Sequence, residues 1–433
     1  MTAAIENPLL PAVAAQARPA GWEPLRVRAE AALSGQDWPS TRQEAWKYTD
    51  LSVLKAMDFA PAIAAAVDIG PLILPEARGS RLVFVNGHFD ARRSNTSNLP
   101  TGLRLLNLAS ASGLAHELGD LAGPGPQAQA DADPFAALNT ARFRDGALVI
   151  VPKGMQVEPP LHLLFLSTQE GGQATCSLPR VFVVLERGAS ATLVEEYQGQ
   201  GRYLTCAVGE VLVREGARLD HTRIQRESLQ AHHFSSLAAR LERDARYDCR
   251  TIAFGACLSR STPRVTMSDE GASLVLDGLA LLGETQVADT HSFIDHRFPR
   301  CTSRQTHKII ADGDALAVFN GVIYVRRDAQ GTDAQQQCRG LLLSAQARVD
   351  AKPQLEIYAD DVKCAHGAAI GQLDPEALFY LQSRGLRLAL ARNLLTYAFA
   401  SDLLASIPLP SLKRQLRTTV LARTNAENLE ALP

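Results

Sequence analysis

Gly188-Ala189-Ser190-Ala191, Gly216-Ala217-Arg218-Leu219, Asp244-Ala245-Arg246-Tyr247 and Gly271-Ala272-Ser273-Leu274 begin 28, 28 and 27 residues apart. Each puts Gly or Asp where a turn tolerates a left-handed backbone, then Ala against a tight wall, then a strand. A fixed period between about 20 and 50 residues marks a solenoid or propeller, whose units bury their apolar faces only by stacking on one another. Propeller blades of about 40–45 residues carry aromatic signatures that this repeat lacks. A β-sandwich, ranked second, would turn every ~8–12 residues without repeating one turn in register. A looser copy, Asp314-Ala315-Leu316-Ala317, follows 43 residues after the fourth, as though an insertion separates two copies. The spacing therefore predicts a β-solenoid inside a β region running from about Gly146, where short β-branched runs replace helical periodicity.

Helical segments flank this core. Residues 1–145 read as a mostly helical region with short strands, and 372–433 as a C-terminal helical domain, leaving 146–371 as the β core. Segments 23–34 and 40–56 have helical spacing, the second capped by Ser40 or Thr41 and running through Glu44, Trp46 and Lys47. Residues 81–86 read as a strand ending at Gly87, and 117–134, rich in Gly, Pro, Ala and Gln, as a flexible linker. Asp374, Pro375 and Gly385 bracket a short helix as N-cap, first residue and stop. A second helix is expected over 386–405, and a third after Pro410 with Leu412, Leu416 and Val420 on one face. Between 384 and 423 seven cations face Asp402 alone, a bias that suits a partner-docking surface as well as a cap on the solenoid's open end.

Composition narrows the function. With 44 Lys+Arg against 46 Asp+Glu over 433 residues, the net charge of −2 argues against a nucleic-acid binder. No apolar run approaches the ~20 residues that cross a bilayer. The N-terminus lacks a basic region and is broken by Pro8 and Pro11, so neither a signal nor a transit peptide is expected and the cytoplasm is the default compartment. Seven cysteines without a C-x-x-C pair argue against disulfides and structural zinc. No phosphate-binding loop is present, so ATP chemistry would have to come from another chain. G-x-S-x-G and H-E-x-x-H are absent too, leaving a cytosolic β-helix lyase or hydrolase as the alternative enzyme reading. A self-associating structural solenoid is a third reading, opposed by the helical ends.

Two segments could hold a metal. In a strand, Asp289, His291 and Asp295 would share one face and His296 the other, although a hydrogen-bonded polar ladder explains them without a metal and is preferred. Cys364 and His366 sit two apart, on one side of an extended chain, and thiolate plus imidazole can ligate iron or zinc. Two ligands do not make a stable site, and a buried thiol beside a hydrogen-bonded ring is the bland alternative. Asp360 and Asp361 read as turn carboxylates, and the remaining cysteines as small core residues.

Particular strings add a resemblance. Arg42-Gln-Glu-Ala-Trp46-Lys47-Tyr48-Thr49, Phe84-Val85-Asn86-Gly87, Phe319-Asn320-Gly321, Ala329-Gln-Gly-Thr332-Asp333-Ala334, Lys352-Pro353-Gln-Leu-Glu356, Asp360-Asp361-Val-Lys363-Cys364-Ala-His366-Gly367 and Leu378-Phe-Tyr380-Leu381-Gln-Ser383-Arg384-Gly385 follow in order from about 40 to 400. Together they resemble the SufD family of the SUF iron–sulfur cluster assembly system. The resemblance implies a right-handed parallel β-helix between helical ends and a non-catalytic scaffold that pairs with SufB through the β-helix. It implies docking of the SufC ATPase by C-terminal helices, here 386–423, and leaves homodimers open for the isolated chain. SufB chains are usually longer with an N-terminal cysteine cluster, which favours SufD. The resemblance further implies that His366, with Cys364 beside it, meets iron or the nascent cluster at the SufB interface, with no cofactor held stably by this chain alone. Cys338 enters as a weaker candidate ligand.

Overall fold

The computed structural model describes residues 21–33, 38–114, 133–169 and 172–423. From Gly146 to Gly371 the strands alternate between two walls, except that Ala174–Ser177 and Arg180–Leu185 follow one another on the same wall, and they stack into a parallel β-solenoid of about seven turns. One wall runs in the order Arg348–Ile357, Leu316–Val325, Val287–His296, Leu258–Met267, His232–Leu241, Tyr203–Val213, Arg180–Leu185 and Gly146–Val151. The other runs Val362–Gly371, Thr332–Leu342, Thr302–Ala311, Ser273–Leu282, Arg246–Ala253, Arg218–Arg226, Ser190–Gln200 and Leu161–Thr168. Because pairing is in register from turn to turn, side chains of one parity form columns along the lumen, where Val149, Val183, Val211, Ala239, Val265, Ile294 and Ile323 share one core.

The repeated turn is one corner of this solenoid. Gly188, Gly216, Asp244 and Gly271 all have positive φ, and the Ala after each is buried. The same corner continues at Arg300 and Gly331, where Cys301 and Thr332 replace the Ala. Asp314 corrects the sequence reading: it follows Gly313 (φ 62°) and leads into Leu316–Val325 on the other wall. The 43-residue gap is thus a change of corner, with no insertion between copies. An ion-pair ladder lines the first corner, Arg214 bridging Glu186 (3.2 Å) and Glu242 (3.5 Å) and Arg243 reaching Asp269 (3.2 Å). These partners are solvent-accessible, so each pair contributes at most ~1 kcal/mol.

Flanking segments cover the outer faces of the walls. α1 (Glu23–Leu33) and α3 (Pro134–Arg142) lie over the first wall, where Trp22 stacks on Phe182 (5.1 Å) and Phe135 on Phe234 (3.7 Å). Asp133 caps α3 by accepting from the amides of Phe135 and Ala136; positions 117–132 of the expected linker, like 1–20, lie outside the described residues. The expected helix over 40–56 is only a 3-10 turn, Glu44–Trp46, followed by α2 (Ser52–Lys55), and neither Ser40 nor Thr41 supplies a side-chain cap. Tertiary contacts override its propensity: the Trp46 ring lies 4.0 Å under the Arg260 guanidinium, and the Thr49 hydroxyl donates to Asp289. The described part of 21–145 is accordingly mixed rather than mostly helical, and its strand Arg81–Val85 extends the second wall by pairing parallel with Leu161–Thr168. Asn86 and Gly87, both at positive φ, then close a tight hairpin to His88–Phe89.

α4 (Pro375–Ser383), α5 (Leu388–Ala405) and α6 (Pro410–Arg423) follow the last strand. Asp374 accepts from the Glu376 amide and Gly385 takes φ 94°, the expected start and stop of α4. Leu403, Leu404, Leu412, Leu416 and Val420 pack on Ile224, Ile252, Leu279 and Ile310, on the outer face of the second wall. These helices therefore flank the solenoid and do not close its open end, because the apolar stripe the helices must bury matches that lateral face. Their charge bias is partly used in docking: Lys308 reaches Asp402 (2.5 Å), Arg392 the Leu343 carbonyl (3.0 Å) and Arg423 the Leu281 carbonyl (3.3 Å). Among the described residues no helix is long and apolar enough to cross a membrane.

Candidate functional site

Among the described residues no further strand or helix covers the last turn of the solenoid, which Glu44 of the N-terminal region touches through Lys352 (3.2 Å). Arg348–Ile357 and Val362–Gly371 are the edge strands of their walls, and both are largely exposed or half-buried where the turns below are buried. Each edge leaves a row of backbone donors and acceptors free for another strand. Pro353, whose ring has no N–H to donate, lies on this edge strand.

Cys364 and His366 lie on Val362–Gly371 with side chains of the same parity. Cys364 packs against the lumen core, and burial pushes its thiol up. His366, one step further along, is exposed. The strand below, Thr332–Leu342, pairs Ala334 with Cys364, Gln336 with His366 and Cys338 with Ala368. Between these two strands lies a depression of about 270 Å³ whose lining includes Gln336, Cys338, Arg339, His366 and Ala368. His366 stands at its rim and Gln336, 1% exposed, at its floor.

Beneath His366 runs a buried amide ladder. Gln336 Nε2 donates to Gln305 Oε1 (2.8 Å), and Gln305 Nε2 donates to Ser292 Oγ (2.9 Å) on the opposite wall. Gln305 and Gln336 are register partners, so Gln305, Gln336 and His366 occupy three successive rungs of one column. Phe319-Asn320-Gly321 supports the arrangement from the other wall. Phe319 stacks on His307 (4.9 Å), and Asn320 accepts from Gln354 (2.9 Å) on the last turn. Gly321 faces the Gln336 amide, where any β-carbon would collide with it.

A model for the SUF system FeS cluster assembly SufBD core domain matches residues 165–399, and one for the SufBD N-terminal region matches 13–163. The chain belongs to the SufBD family. An iron–sulfur cluster assembly SufBD family protein of Synechocystis is 39% identical over 89% of this chain and 87% of its own length. The chloroplastic protein ABCI7 of Arabidopsis thaliana is 34% identical over 91% and 85%, and the iron–sulfur cluster assembly protein SufD of Escherichia coli 32% over 89% and 88%. This chain is thus a SufD-like iron–sulfur cluster assembly protein built on a β-solenoid.

Other sequence candidates in this SufBD chain have structural duties. Asp289, on the outer face of the first wall, accepts from Thr49 and Arg260 and pairs with His291 (2.8 Å). Burial opposes its charge, yet His291 and Arg260 hold the carboxyl below the usual range. Asp295 is clamped by Arg297 (2.7 Å) and Arg326 (2.9 Å), while His296 points into the lumen toward Ser303 (2.9 Å). Asp360 and Asp361 form the turn before the last strand, Asp361 joined to Gly331 and Gln330 through its backbone. Cys338 faces the core and burial pushes its thiol up to about 12, which disfavours the thiolate that a metal needs. Among the described residues no three His, Cys, Asp or Glu side chains gather as a metal cage. Imidazole and thiol at the open end are two donors, so a four-coordinate iron there needs the rest from elsewhere.

Sequence reading missed Gln336 and Gly321. Gln335-Gln336-Gln337 carries no metal-ligand spacing of its own. The available signal was the period: Gln305, Gln336 and His366 are 31 and 30 residues apart, one solenoid turn each.

Proposed function

We propose that the chain is a non-enzymatic scaffold subunit of a cytoplasmic SufBCD complex in which its open solenoid end pairs with SufB. The observation that carries this is the uncovered last turn, which offers two free strand edges with His366 at the mouth of the lumen. Main-chain hydrogen bonds across such edges give affinity, and the exposed side chains give register. In this reading His366 supplies a neutral imidazole to iron or the nascent cluster, SufB supplies thiolates, and Cys364 beside it packs or assists. Ligation by one imidazole suits a site that must release its cargo. SufC hydrolyses ATP and docks on the C-terminal helices 386–423, where exposed Leu388 and Arg387 continue the exposed Phe379 and Tyr380 of α4 and Arg384 just after it. The same free edges leave the isolated chain able to pair with a second copy.

Amide hydrogen exchange tests the pairing. Amides of Val362–Gly371 and Arg348–Ile357 should exchange quickly in the separated chain and become protected when SufB is bound. Equal exchange in both states, with protection elsewhere, would place the interface on another surface.

A further inference from the structure

Gln336 is 1% exposed, yet its Oε1 is buried with no hydrogen-bond partner among the described residues. An orphaned buried carbonyl costs on the order of 1–3 kcal/mol, so its survival in an otherwise bonded ladder asks for an acceptor role. The ladder is polarised. Gln336 Nε2 is committed to Gln305 below, and Gln305 Nε2 to Ser292. Gly321 leaves the room the amide occupies, since a β-carbon there would stand 2.5 Å from Nε2. The oxygen of the same amide is not used in that bond, and the register partner of Gln336 on the next rung is His366.

We propose that Gln336 is a positioning residue whose Oε1 accepts a ring N–H of His366 and thereby fixes the imidazole tautomer. With one ring nitrogen holding the proton against Gln336, the other keeps its lone pair and presents it at the open end. A ligating histidine is ordinarily oriented in this way by an acceptor on its second nitrogen, and losing the acceptor typically costs ten- to a hundredfold in metal affinity. Ser292, Gln305 and Gln336 thus form a rigid column from one wall to the mouth of the lumen. The inference rests on the reading of His366 as a ligand, but the tautomer can be measured without any metal.

The test uses the full chain with ¹⁵N-labelled imidazoles, the His366 signals assigned by their loss in His366→Ala. In the wild type one ring nitrogen should be protonated and the other bare. Gln336→Met, close in length but without an acceptor, should give exchange-averaged nitrogens and at least tenfold weaker Fe²⁺ binding in the complex with SufB and SufC. Gln336→Glu, which keeps an acceptor, should restore the fixed tautomer. A mixed tautomer in the wild type, a Met variant with unchanged ring signals, or a Glu variant that stays mixed overturns the proposal. If the tautomer follows the prediction while His366→Ala leaves cluster yield unchanged, the ligand reading fails and the positioning contact stands.

Discussion

A β-carbon on Gly321 would lie 2.5 Å from Nε2 of Gln336 and 2.6 Å from the Phe319 ring, so glycine at this lumen position is the space in which the amide ladder is built. Gly321→Ala must push Gln336 off Gln305 or displace Phe319 from its stack on His307. Overpacking of this kind costs about 1–3 kcal/mol. Urea unfolding should show that loss, whereas Gly283→Ala, whose added carbon meets nothing within 4 Å, should stay within about 0.5 kcal/mol.

Trp46 fastens the N-terminal strap. It is 6% exposed, shares a cluster with Phe135 and Phe234, and carries the Arg260 guanidinium on its face. Trp46→Ala should cost about 3 kcal/mol or more. Limited proteolysis should then cut between residues 38 and 58 before any cut in the solenoid; a cleavage pattern like the wild type's would contradict the contact's importance.

Acid should weaken the fold early. Burial pushes His232, His296 and His307 down to about 4 from an ordinary 6.5, so the unfolded chain takes up protons that the folded chain refuses. Their stabilisation is present above pH 6.5 and is lost progressively as pH falls toward 4. Asp277, raised by burial to about 6, acts oppositely in part of that window, since the folded state binds its proton first. Burial also lowers His88 and raises Asp220, so four depressed imidazoles stand against two raised carboxyls and leave a net loss. Glu196, which His162 and Arg226 bring down to about 2 against the effect of burial, adds a further loss below 4.5. Unfolding midpoints from pH 7.5 to 4.5 should fall, most steeply below 6.5; a flat profile would contradict the neutral buried imidazoles.

The surface proposed for SufC can be probed without opening the core. Deleting 386–433 would expose Ile224, Ile252, Leu279 and Ile310, because α5 and α6 bury them. Phe379 and Leu388 are 74% and 50% exposed, so Phe379→Ala with Leu388→Ala should leave stability within about 1 kcal/mol. Capture of SufC should weaken at least tenfold, as truncation of interface anchors does. Undiminished capture would move SufC docking to another surface.

How much of this was readable in the sequence follows from which forces act locally. The corner at Gly188, Gly216, Asp244 and Gly271 was legible because a left-handed turn followed by a tight Ala is a local demand repeated each turn. The change of corner at Asp314 was not, since two corners with similar turn chemistry look alike until strands are assigned to walls. Cys364 and His366 were legible as a pair by strand parity alone. Gln336 was hidden because its role depends on residues one turn above and below and on Gly321 across the lumen. The broken form of 40–56, a 3-10 turn and one short helix, was hidden likewise, being set by Trp46 and Thr49 against Arg260 and Asp289.

The central claim, that His366 handles cluster at the SufB interface, is tested most directly by anaerobic reconstitution with iron and sulfide. SufB, SufC and this chain are co-expressed, wild type is compared with His366→Ala, and the mass of the complex is followed alongside cluster absorbance. The account predicts an intact complex with reduced cluster yield. An intact complex with wild-type yield would contradict it and leave His366 as a structural residue of the open end.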